Sequence, residues 1–356
     1  MNLRIFENVP LAPFTTLGVG GAARFMAVIE DENQIAGALS FARKHDCPVF
    51  ILGGGSNLVV ADTGFPGLAL KIEISGIQPT GEKRGVISVG AGVTWDDFVR
   101  YCVDHNLAGN ECLSGIPGTV GGVPIQNVGA YGQEAGETIV SARVWDRESE
   151  KIVDLSNQEC AFAYRSSVFN TSDAGRHIVL RVKFNLHYEG TPRVQYADLR
   201  RHFAGKPAPS LRQVRNAVID LRKAKGMFVS TEDPDSKSAG SFFRNPVISP
   251  ADFSAMKQRA MDINLENIPC FDTPEGDTKL SAAWLIEHSG IYKGYVHNGA
   301  GVSGKHALAL INRGNASAKD IIELMEIIRQ RVMETFGVDL RPEPVFLGFD
   351  AQKSIL

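Results

Sequence analysis

Glycine is concentrated in two loops of the sequence, and these loops limit the possible folds more than any other feature. "GGGSN" (53–57) directly follows the strand-like "PVFIL", and "SGIPGTVGG" (114–122) lies about 60 residues further along the chain. Successive glycines let backbone N–H groups converge on an anion, because no Cβ atom intervenes. The two loops could therefore clamp one long ligand that carries a diphosphate and a flat ring. Two unrelated tight turns are the alternative.

A third glycine cluster, "GVGGAA" (18–23), fits the G-x-G-x-x-A pattern of dinucleotide-binding turns. That pattern requires a strand before it and a helix after it. Here "APFTTL" precedes the cluster and the strand-like "RFMAVIE" follows it. The context therefore argues against a Rossmann turn.

Apolar spacing and end signals predict the helices. The segment 31–45 has apolar residues at helical spacing and acidic residues in its first turn. A second helix is predicted to open at Thr94, with Asp97 completing a capping box, and the last helix to open in the same way at Ser317 with Asp320. Gly337 is expected to end that last helix.

Strand and helix patterns together predict an α+β fold with three domains. Alternating segments between 138 and 188, and "HALALIN" (306–312), are expected to be strands. The polar "STEDPDSKSAG" (230–240) marks a boundary after which the sequence changes character. The predicted domains are 1–72, 73–228 and 229–339, with the tail 340–356 returning to the first.

Composition and charge exclude several classes of protein. The net charge is −3 and no Lys/Arg run is present, which argues against nucleic acid or an acidic membrane as a partner. The N-terminus has no apolar signal region, and no segment is long enough to span a membrane. The five scattered cysteines, without a CxxC, indicate reduced thiols in a cytosolic protein. The eight histidines lack metal-site spacing, so no metal is expected.

An ordered set of motifs resembles one flavoprotein family, the UDP-N-acetylenolpyruvoylglucosamine reductases of bacterial peptidoglycan synthesis. The set covers nearly the whole chain from about 12 to 350. Its members are "FTTLGVGG", "LGGGSN", "SGIPGTVGG…QNVGAYG", "YRSSVF", "AGSFFRNP", "AAWLIEHSG", "HALALIN" and "RPEPVF". The glycine loop alone has modest specificity, whereas the ordered set is highly specific.

The resemblance implies that the first two domains form a vanillyl-alcohol-oxidase-like unit that binds FAD, and that the third domain binds the substrate. The glycine loop would hold the pyrophosphate and the 114–132 loop would line the flavin. Related oxidases often attach FAD through a histidine in the glycine loop; this loop has none, so the FAD is expected to be non-covalent. The implied cofactor-binding residues are Gly53, Gly54, Gly55, Ser56, Asn57, Ser114, Gly115, Ile116, Pro117, Gly118, Thr119, Gly122, Asn127 and Gly132.

The implied reaction passes a hydride from NADPH through FAD to the enolpyruvyl double bond of UDP-N-acetylglucosamine enolpyruvate, giving UDP-N-acetylmuramate. By resemblance, Arg165 and Glu343 stabilise the enolate and Ser241 donates the proton to carbon. Each residue also has an ordinary structural interpretation. Arg165 resembles a surface ion-pair partner, Glu343 between two prolines could protect an edge strand, and Ser241 could follow a turn that leads two phenylalanines into a core.

Four residues are implied in substrate binding: Tyr131, Tyr196, Asn245 and His306. Asn245 and His306, taken alone, could equally be polar residues satisfied within the fold. Tyr196 matches the tyrosine of a loop that folds over the substrate in one subclass of the family. The segment 200–237 is longer than the family pattern, so the path of the lid region 197–237 stays open.

Two other functions remain possible at this point. Another FAD-dependent oxidase or dehydrogenase of the same superfamily would use a different acceptor and would need no serine, arginine and glutamate set. A dinucleotide-binding regulator without catalytic activity is opposed by the lack of a DNA-reading motif or basic patch. The reductase is preferred, as a cytoplasmic monomer with small-molecule substrates.

Overall fold

The computed structural model describes residues 3–81 and 83–349, and its mixture of helices and strands confirms the predicted α+β class. Within the described residues the chain forms two compact units. Unit 1 comprises the chain up to Val9, Ala23–Gly55 and Pro66–Ala224, and unit 2 comprises Pro10–Ala22, Ser56–Phe65 and the chain from Lys225 onward. This division does not test the predicted boundary at 72, and the three-domain scheme stays a prediction.

The strands of the described residues are short, and most belong to small sheets. They are β1 Arg4–Pro10, β2 Ala22–Ile29, β3 Val49–Leu52, β4 Leu58–Val60, β5 Phe65–Ile72, β6 Ile77–Pro79, β7 Val86–Gly90, β8 Leu107–Ala108, β9 Gly129–Ala130, β10 Gln133–Glu134, β11 Ile139–Asp146, β12 Lys151–Ser156, β13 His177–Asn185, β14 His187–Tyr188, β15 Val247–Ile248, β16 Cys270–Asp272, β17 Thr278–Leu280, β18 Val296–His297, β19 Ala300–Val302, β20 Leu310–Asn312 and β21 Val345–Leu347.

The α-helices range from a single turn to five turns. They are α1 Gln34–Lys44, α2 Trp95–Asp104, α3 Asn157–Cys160, α4 Ala197–Phe203, α5 Leu211–Ala224, α6 Pro250–Asp262, α7 Ala282–Glu287 and α8 Ala318–Phe336.

Unit 1 is built on two sheets. The first has the strand order β1-β2-β5-β3, in which β3 and β5 run parallel with Leu52 opposite Lys71. The second has the order β12-β11-β13-β7-β6 and is antiparallel throughout. Because β3 leads straight into Gly53, the parallel pair fixes where the first glycine loop begins.

An aromatic cluster lies at the centre of unit 1. The ring centroids of Phe98 and Phe184 are 4.6 Å apart, and that of Trp95 lies 5.7 Å from Phe98. All three side chains are fully buried. Burying a side chain of this size contributes about 1.5–3 kcal/mol. Trp95 also begins α2, so this core holds the helix end on which the second glycine loop is anchored.

Unit 2 is organised around α8, whose apolar stripe packs in a core with the sheet β18-β19-β20. Its strand β21 pairs in parallel with β4, with Val345 opposite Leu58. As predicted, Ser317 and Asp320 form a reciprocal capping box at the start of α8, and Gly337 ends the helix with φ 71°. The tail beyond residue 349 lies outside the described residues.

Three local predictions were wrong. Thr94 precedes α2 but its side chain makes no capping hydrogen bond, and the carboxylate of Asp97 is instead paired with Arg100 at 2.8 Å. The first turn of α1 has no acidic residue, because the helix begins only at Gln34. The strand expected from residue 306 begins only at Leu310, since the preceding residues form a turn.

Candidate functional site

The two glycine loops of unit 1 lie backbone against backbone. A Cβ atom on Gly54 would lie 2.5 Å from Cα of Gly118, and a Cβ atom on Gly53 would lie 3.0 Å from Oγ1 of Thr119. Contacts below 3.0 Å to backbone are not tolerated by real Cβ atoms. Glycine at position 54 is therefore required by the close approach of the second loop, and the structure brings these two predicted cofactor segments together.

The second glycine loop is held in place by backbone hydrogen bonds to the start of α2 and the turn before it. Trp95 N–H donates to the carbonyl of Gly118 at 3.0 Å, and Val120 N–H donates to that of Val93 at 2.9 Å. The indole N–H of Trp95 donates to the carbonyl of Leu113 at 3.1 Å. The loop is thus a fixed surface rather than a linker.

Two polar side chains beside these loops have unusual surroundings. Oγ1 of Thr119 is buried and, among the described residues, has no hydrogen-bond partner. Lys71 on β5 donates from Nζ to the carbonyl of Gly53 at 2.7 Å, and burial lowers the pKa of this ammonium. A cradle of glycine backbone, an unused hydroxyl and a partly buried cation form a donor set that fits a diphosphate.

Ser114, a predicted cofactor residue, is fully buried and donates its hydroxyl hydrogen to the carbonyl of Glu111 at 2.6 Å. The neighbouring Gly115 is bound on both sides, with its N–H donating to the Asp96 carboxylate and its carbonyl accepting from Nε of Arg222. Arg215 pairs with both oxygens of Asp96 at 2.6 and 2.7 Å. Helix α5 therefore supports the start of this loop.

Asn127, another predicted cofactor residue, has its side chain fully engaged within unit 1. Its Nδ2 donates to the Glu134 carboxylate at 2.7 Å and to the carbonyl of Ala163 at 3.1 Å, and its Oδ1 accepts from Gly136 N–H at 2.8 Å. The backbone of Asn127 has φ 44°, a region that asparagine tolerates better than most residues. Asn127 thus ties the 114–132 segment to the turn that carries Arg165.

Arg165 lies at the tip of a two-residue turn closed by Ala163 and Ser166, whose N–H groups donate to each other's carbonyls at 3.0 and 3.1 Å. Its φ is 53°, a conformation that costs a non-glycine residue free energy and is concentrated at functional sites. Its guanidinium carbon lies 5.5 Å from the ring centroid of Tyr164. A Cβ atom on Gly129 would lie 3.4 Å from Nη1 of Arg165, so the side chain of Arg165 extends over the 114–132 segment.

The two predicted tyrosines of unit 1 contact each other. The rings of Tyr131 and Tyr196 meet edge to face with centroids 5.3 Å apart. Tyr131 has φ 50°, and Tyr196 immediately precedes α4 and is 43% exposed. The predicted lid segment therefore begins at Tyr196, whose side chain touches Tyr131 in the 114–132 segment, with Gly132 beside it.

In unit 2, the segment of Ser241 pairs with the segment of Glu343. Phe243 and Pro342 form an antiparallel bridge, and Glu343 N–H donates to the carbonyl of Phe242 at 2.9 Å. Phe242 and Phe243 are buried, whereas Ser241 between Gly240 and these rings is half-buried. The structure thus brings two of the three predicted catalytic residues onto paired backbones, with Ser241 at the edge of the phenylalanine core.

Asn57 supports the same pair of segments. Its Nδ2 donates to the carbonyl of Glu343 at 3.3 Å, and its own carbonyl accepts from Val345 N–H at 3.0 Å. Asn57 and Ser56 belong to unit 2, whereas Gly53–Gly55 belong to unit 1.

The remaining predicted substrate residues, Asn245 and His306, are both held by unit 2. Oδ1 of Asn245 accepts from the N–H of Ala282 at 3.0 Å, which caps the start of α7. Burial, followed by the charges of Lys225 and Lys293 and opposed by Glu287, lowers the pKa of His306 to about 4. His306 is therefore a neutral imidazole at physiological pH.

Sequence reasoning missed Lys71 and Glu111. Glu111 is a buried carboxylate that accepts from the N–H groups of Gly109 and Arg193 and from Nε2 of Gln133, each at 2.8 Å. It thereby joins the start of the second glycine loop to the chain before Tyr196. The position of Lys71 as a lone lysine in an apolar strand was a weak indication of a functional role. Nothing in the sequence indicated a role for Glu111.

Other kinds of site receive no support in the part of the chain that the structure describes. No group of three or more His, Cys, Asp or Glu side chains there could hold a metal ion. The five cysteines are free thiols. No helix among the described residues has both the length and the hydropathy needed to cross a membrane.

Two segments of the chain match models of known protein families. Residues 23–156 match the model of the FAD binding domain, and residues 233–347 match that of the UDP-N-acetylenolpyruvoylglucosamine reductase C-terminal domain. The crystal structure of UDP-N-acetylenolpyruvylglucosamine reductase from Thermus caldophilus is similar, with a TM-score of 0.66 and 26% identity over 97% of this chain and 100% of that one.

Curated relatives match over nearly their full length. The UDP-N-acetylenolpyruvoylglucosamine reductase of Thermobifida fusca is 44% identical, over 98% of this chain and 99% of that protein. The protein of the same name from Streptomyces avermitilis is 40% identical, over 98% of this chain and 97% of that protein. The chain therefore belongs to the UDP-N-acetylenolpyruvoylglucosamine reductase family.

Proposed function

We propose that the chain catalyses the NADPH-dependent, FAD-mediated reduction of UDP-N-acetylglucosamine enolpyruvate to UDP-N-acetylmuramate. The observation that carries this proposal is the close approach of the two glycine loops, in which a Cβ atom on Gly54 would lie 2.5 Å from Cα of Gly118, inside a family whose activity requires a flavin. The same loops offer the unused hydroxyl of Thr119 and the ammonium of Lys71 to an anion.

FAD, when bound, accepts the hydride of NADPH and supplies it to the enolpyruvyl double bond. We assign its diphosphate to the loop 53–57 and its ring system to the segment 114–132. The residues of unit 1 bind and orient the cofactor through backbone N–H groups, because the side chains of Ser114 and Asn127 are already engaged within the protein. The absence of histidine from the sequence "GGGSN" makes the bound FAD non-covalent.

Hydride addition to the terminal carbon of the enolpyruvyl group builds negative charge next to its carboxylate. We assign stabilisation of this charge to the guanidinium of Arg165 and the carboxyl group of Glu343. The strained turn that presents Arg165 and the bridge that holds Glu343 both reduce the reorganisation needed at the moment of reaction.

Ser241 is assigned as the proton donor to carbon. Ser241 is half-buried and directly precedes two buried phenylalanines in the chain, so we expect water to compete less for the developing carbanion than it would at an open surface. Gly240 has φ 78°, which sets the direction in which the chain enters this core. The backbone at Ser241 is therefore fixed in direction, and its side chain is partly shielded from water.

We assign substrate binding to Tyr131, Tyr196, Asn245 and His306. Because His306 is neutral, its contribution is a hydrogen bond to a polar group rather than a charge. The contact between these two tyrosines supports assignment of this chain to the subclass with a tyrosine on the lid loop. We further propose that the enzyme is a cytoplasmic monomer whose partners are small molecules, not nucleic acid or membrane.

The deciding experiment measures NADPH oxidation with and without the enolpyruvyl sugar nucleotide, in the presence of FAD. Oxidation that depends on the sugar nucleotide supports the reductase. Peroxide formation from oxygen with an alcohol or sugar substrate, without such dependence, would favour an oxidase of the same superfamily instead.

A further inference from the structure

Lys71 binds the first glycine of the pyrophosphate loop through its side chain. It lies on β5 opposite Leu52, the last residue of β3, and Nζ donates to the carbonyl of Gly53 at 2.7 Å. An ammonium group has three hydrogens to donate, and this is the single hydrogen bond that the side chain of Lys71 makes among the described residues. Two donor positions are left for a ligand or water.

The charge of Lys71 is poorly compensated by the protein. The side chain is half-buried, and burial lowers its pKa while the charge of Glu73, two residues along the strand, raises it. Within residues 3–81 and 83–349, Lys71 forms no ion pair. A cation taken partly out of water without a counterion costs free energy, unless a bound anion restores the balance.

Arg222 offers a useful contrast at the other glycine loop. It also donates to a loop carbonyl, that of Gly115, at 3.0 Å. Burial lowers the pKa of Arg222, and the charges of Tyr131 and Asp96 oppose this shift. The Asp96 carboxylate also accepts the N–H of Gly115 in the second loop, whereas no carboxylate of the described residues is hydrogen-bonded to Gly53–Gly55.

The surroundings of Lys71 also provide neutral donors. Oγ1 of Thr119 lies 3.0 Å from the position of a Cβ atom on Gly53, and it is buried without a partner among the described residues. Glycines 53–55 add backbone N–H groups that no side chain covers. A cation, a hydroxyl and bare backbone N–H groups around one loop match the chemistry of a diphosphate.

We propose that Lys71 is a cofactor-binding residue, which supplies the positive charge for the diphosphate of FAD while its hydrogen bond to Gly53 fixes the loop. This proposal rests on the assignment of FAD to the loop 53–57 under the proposed function. Backbone N–H groups carry only partial charges, so a full cation on the loop adds a charge-assisted hydrogen bond to the bound anion.

The alternative is that Lys71 only clamps the Gly53 carbonyl. Lys71→Gln separates the two roles, because the amide still donates a hydrogen bond but carries no charge. Lys71→Arg keeps the charge. Lys44→Gln, at the exposed end of α1, is the matched control for removal of a lysine charge from unit 1.

The test titrates the full-length protein, stripped of flavin, with FAD and separately with riboflavin, and follows flavin fluorescence at several ionic strengths. Lys71→Gln should weaken FAD binding about 10- to 100-fold, as expected for a lost hydrogen bond to a charged group. It should leave riboflavin, which has no phosphate, unchanged. Lys71→Arg and Lys44→Gln should stay near the wild type, and salt should weaken FAD binding more steeply in the wild type than in Lys71→Gln.

Equal weakening of FAD and riboflavin by Lys71→Gln, or unchanged FAD binding, would overturn the proposal in favour of the clamp. If circular dichroism shows that Lys71→Gln does not fold, FAD binding by the wild type that is insensitive to salt would overturn it, and so would tenfold weaker binding by folded Lys71→Arg. A wild-type protein that binds no FAD would instead refute the proposed function.

Discussion

The backbone N–H of Glu343 donates to the carbonyl of Phe242 at 2.9 Å, so the residue after Ser241 is fixed to one of its proposed catalytic partners. Phe242 N–H also donates to the carbonyl of Leu308 at 2.7 Å. The segment that contains Ser241 is thereby held between two other segments of unit 2. One contains Glu343, and the other contains Leu308, which lies two residues after His306. These two hydrogen bonds fix the backbone next to Ser241 within the protein itself.

Ser241→Ala should separate the two half-reactions. The hydroxyl is assigned to protonating carbon after hydride transfer, so flavin reduction by NADPH should stay near the wild-type rate. Flavin reoxidation by the enolpyruvyl substrate should slow by about 10²- to 10⁴-fold, the usual contribution of a positioned general acid. Stopped-flow absorbance of the flavin measures both steps.

Ser241→Cys is the matched variant, because a thiol of similar size can still donate a proton. It should retain part of the reoxidation rate that Ser241→Ala loses. If Ser241→Ala slows both half-reactions equally, Ser241 shapes the flavin pocket and the core interpretation of "GSFF" is right.

The FAD should leave the protein on denaturation. The glycine loop has no histidine for a covalent bond, and its contacts are hydrogen bonds and one cation. The purified protein is expected to be yellow, and all of the flavin should pass a filter after acid or heat denaturation. Flavin that stays with the precipitated chain, or protein that gains no flavin absorbance with added FAD, would contradict this expectation.

Low pH should destabilise the protein through His306. Its folded pKa is about 4 against an ordinary value of 6.5. Between these values the unfolded chain binds a proton that the folded chain does not, so this contribution to stability is lost as pH falls through the window. The loss reaches about 3 kcal/mol at its lower end, as an upper bound.

The free energy of unfolding of the wild type and of His306→Gln, measured from pH 7 to 4, tests this effect. The difference between the two should change by the stated amount across the window, with the wild type losing more. His187→Gln, which replaces an exposed histidine of β14, is the control. Parallel pH profiles for the wild type and His306→Gln would contradict the burial of His306.

The glycine loops and the main elements were predictable from sequence because their signals are local. "GGGSN" follows an apolar run, and the capping box at Ser317 needs only residues three apart. Thr94 shows the limit of such local signals. The capping box predicted there does not form, and the carboxylate of Asp97 is paired with Arg100 instead. A capping box requires both side chains to be available, which the spacing alone does not guarantee.

The surroundings of the site residues were not predictable, because they depend on contacts between distant parts of the chain. Lys71 reaches Gly53 only because β3 and β5 pair in parallel with Leu52 opposite Lys71. Asn127 was identified by resemblance as a cofactor residue, yet its side chain holds the Arg165 turn through Ala163. The motifs identify which segments form the site, whereas the contacts between those segments follow only from the tertiary structure.

Gly54→Ala should impair FAD binding by separating the two glycine loops. Gly54 needs no unusual φ, so the effect comes from its added Cβ atom, which would lie 2.5 Å from Cα of Gly118. Because Gly118 is held by Trp95 N–H, it cannot move away freely. The protein should lose about 1–3 kcal/mol of stability, typical of overpacking, and its FAD affinity should fall as the loop is displaced.

Gly37→Ala, inside α1, is the matched control, because among the described residues a Cβ atom on Gly37 meets only the side chain of Leu3, at an ordinary contact distance of 3.7 Å. Alanine inside a helix is favoured over glycine by roughly 0.5–1 kcal/mol, so this variant should be as stable as the wild type or more so. Thermal unfolding and FAD titration of the two variants test whether the close approach of the loops shapes the cofactor site. If Gly54→Ala binds FAD as tightly as Gly37→Ala does, the close approach of the loops is not what shapes the cofactor site.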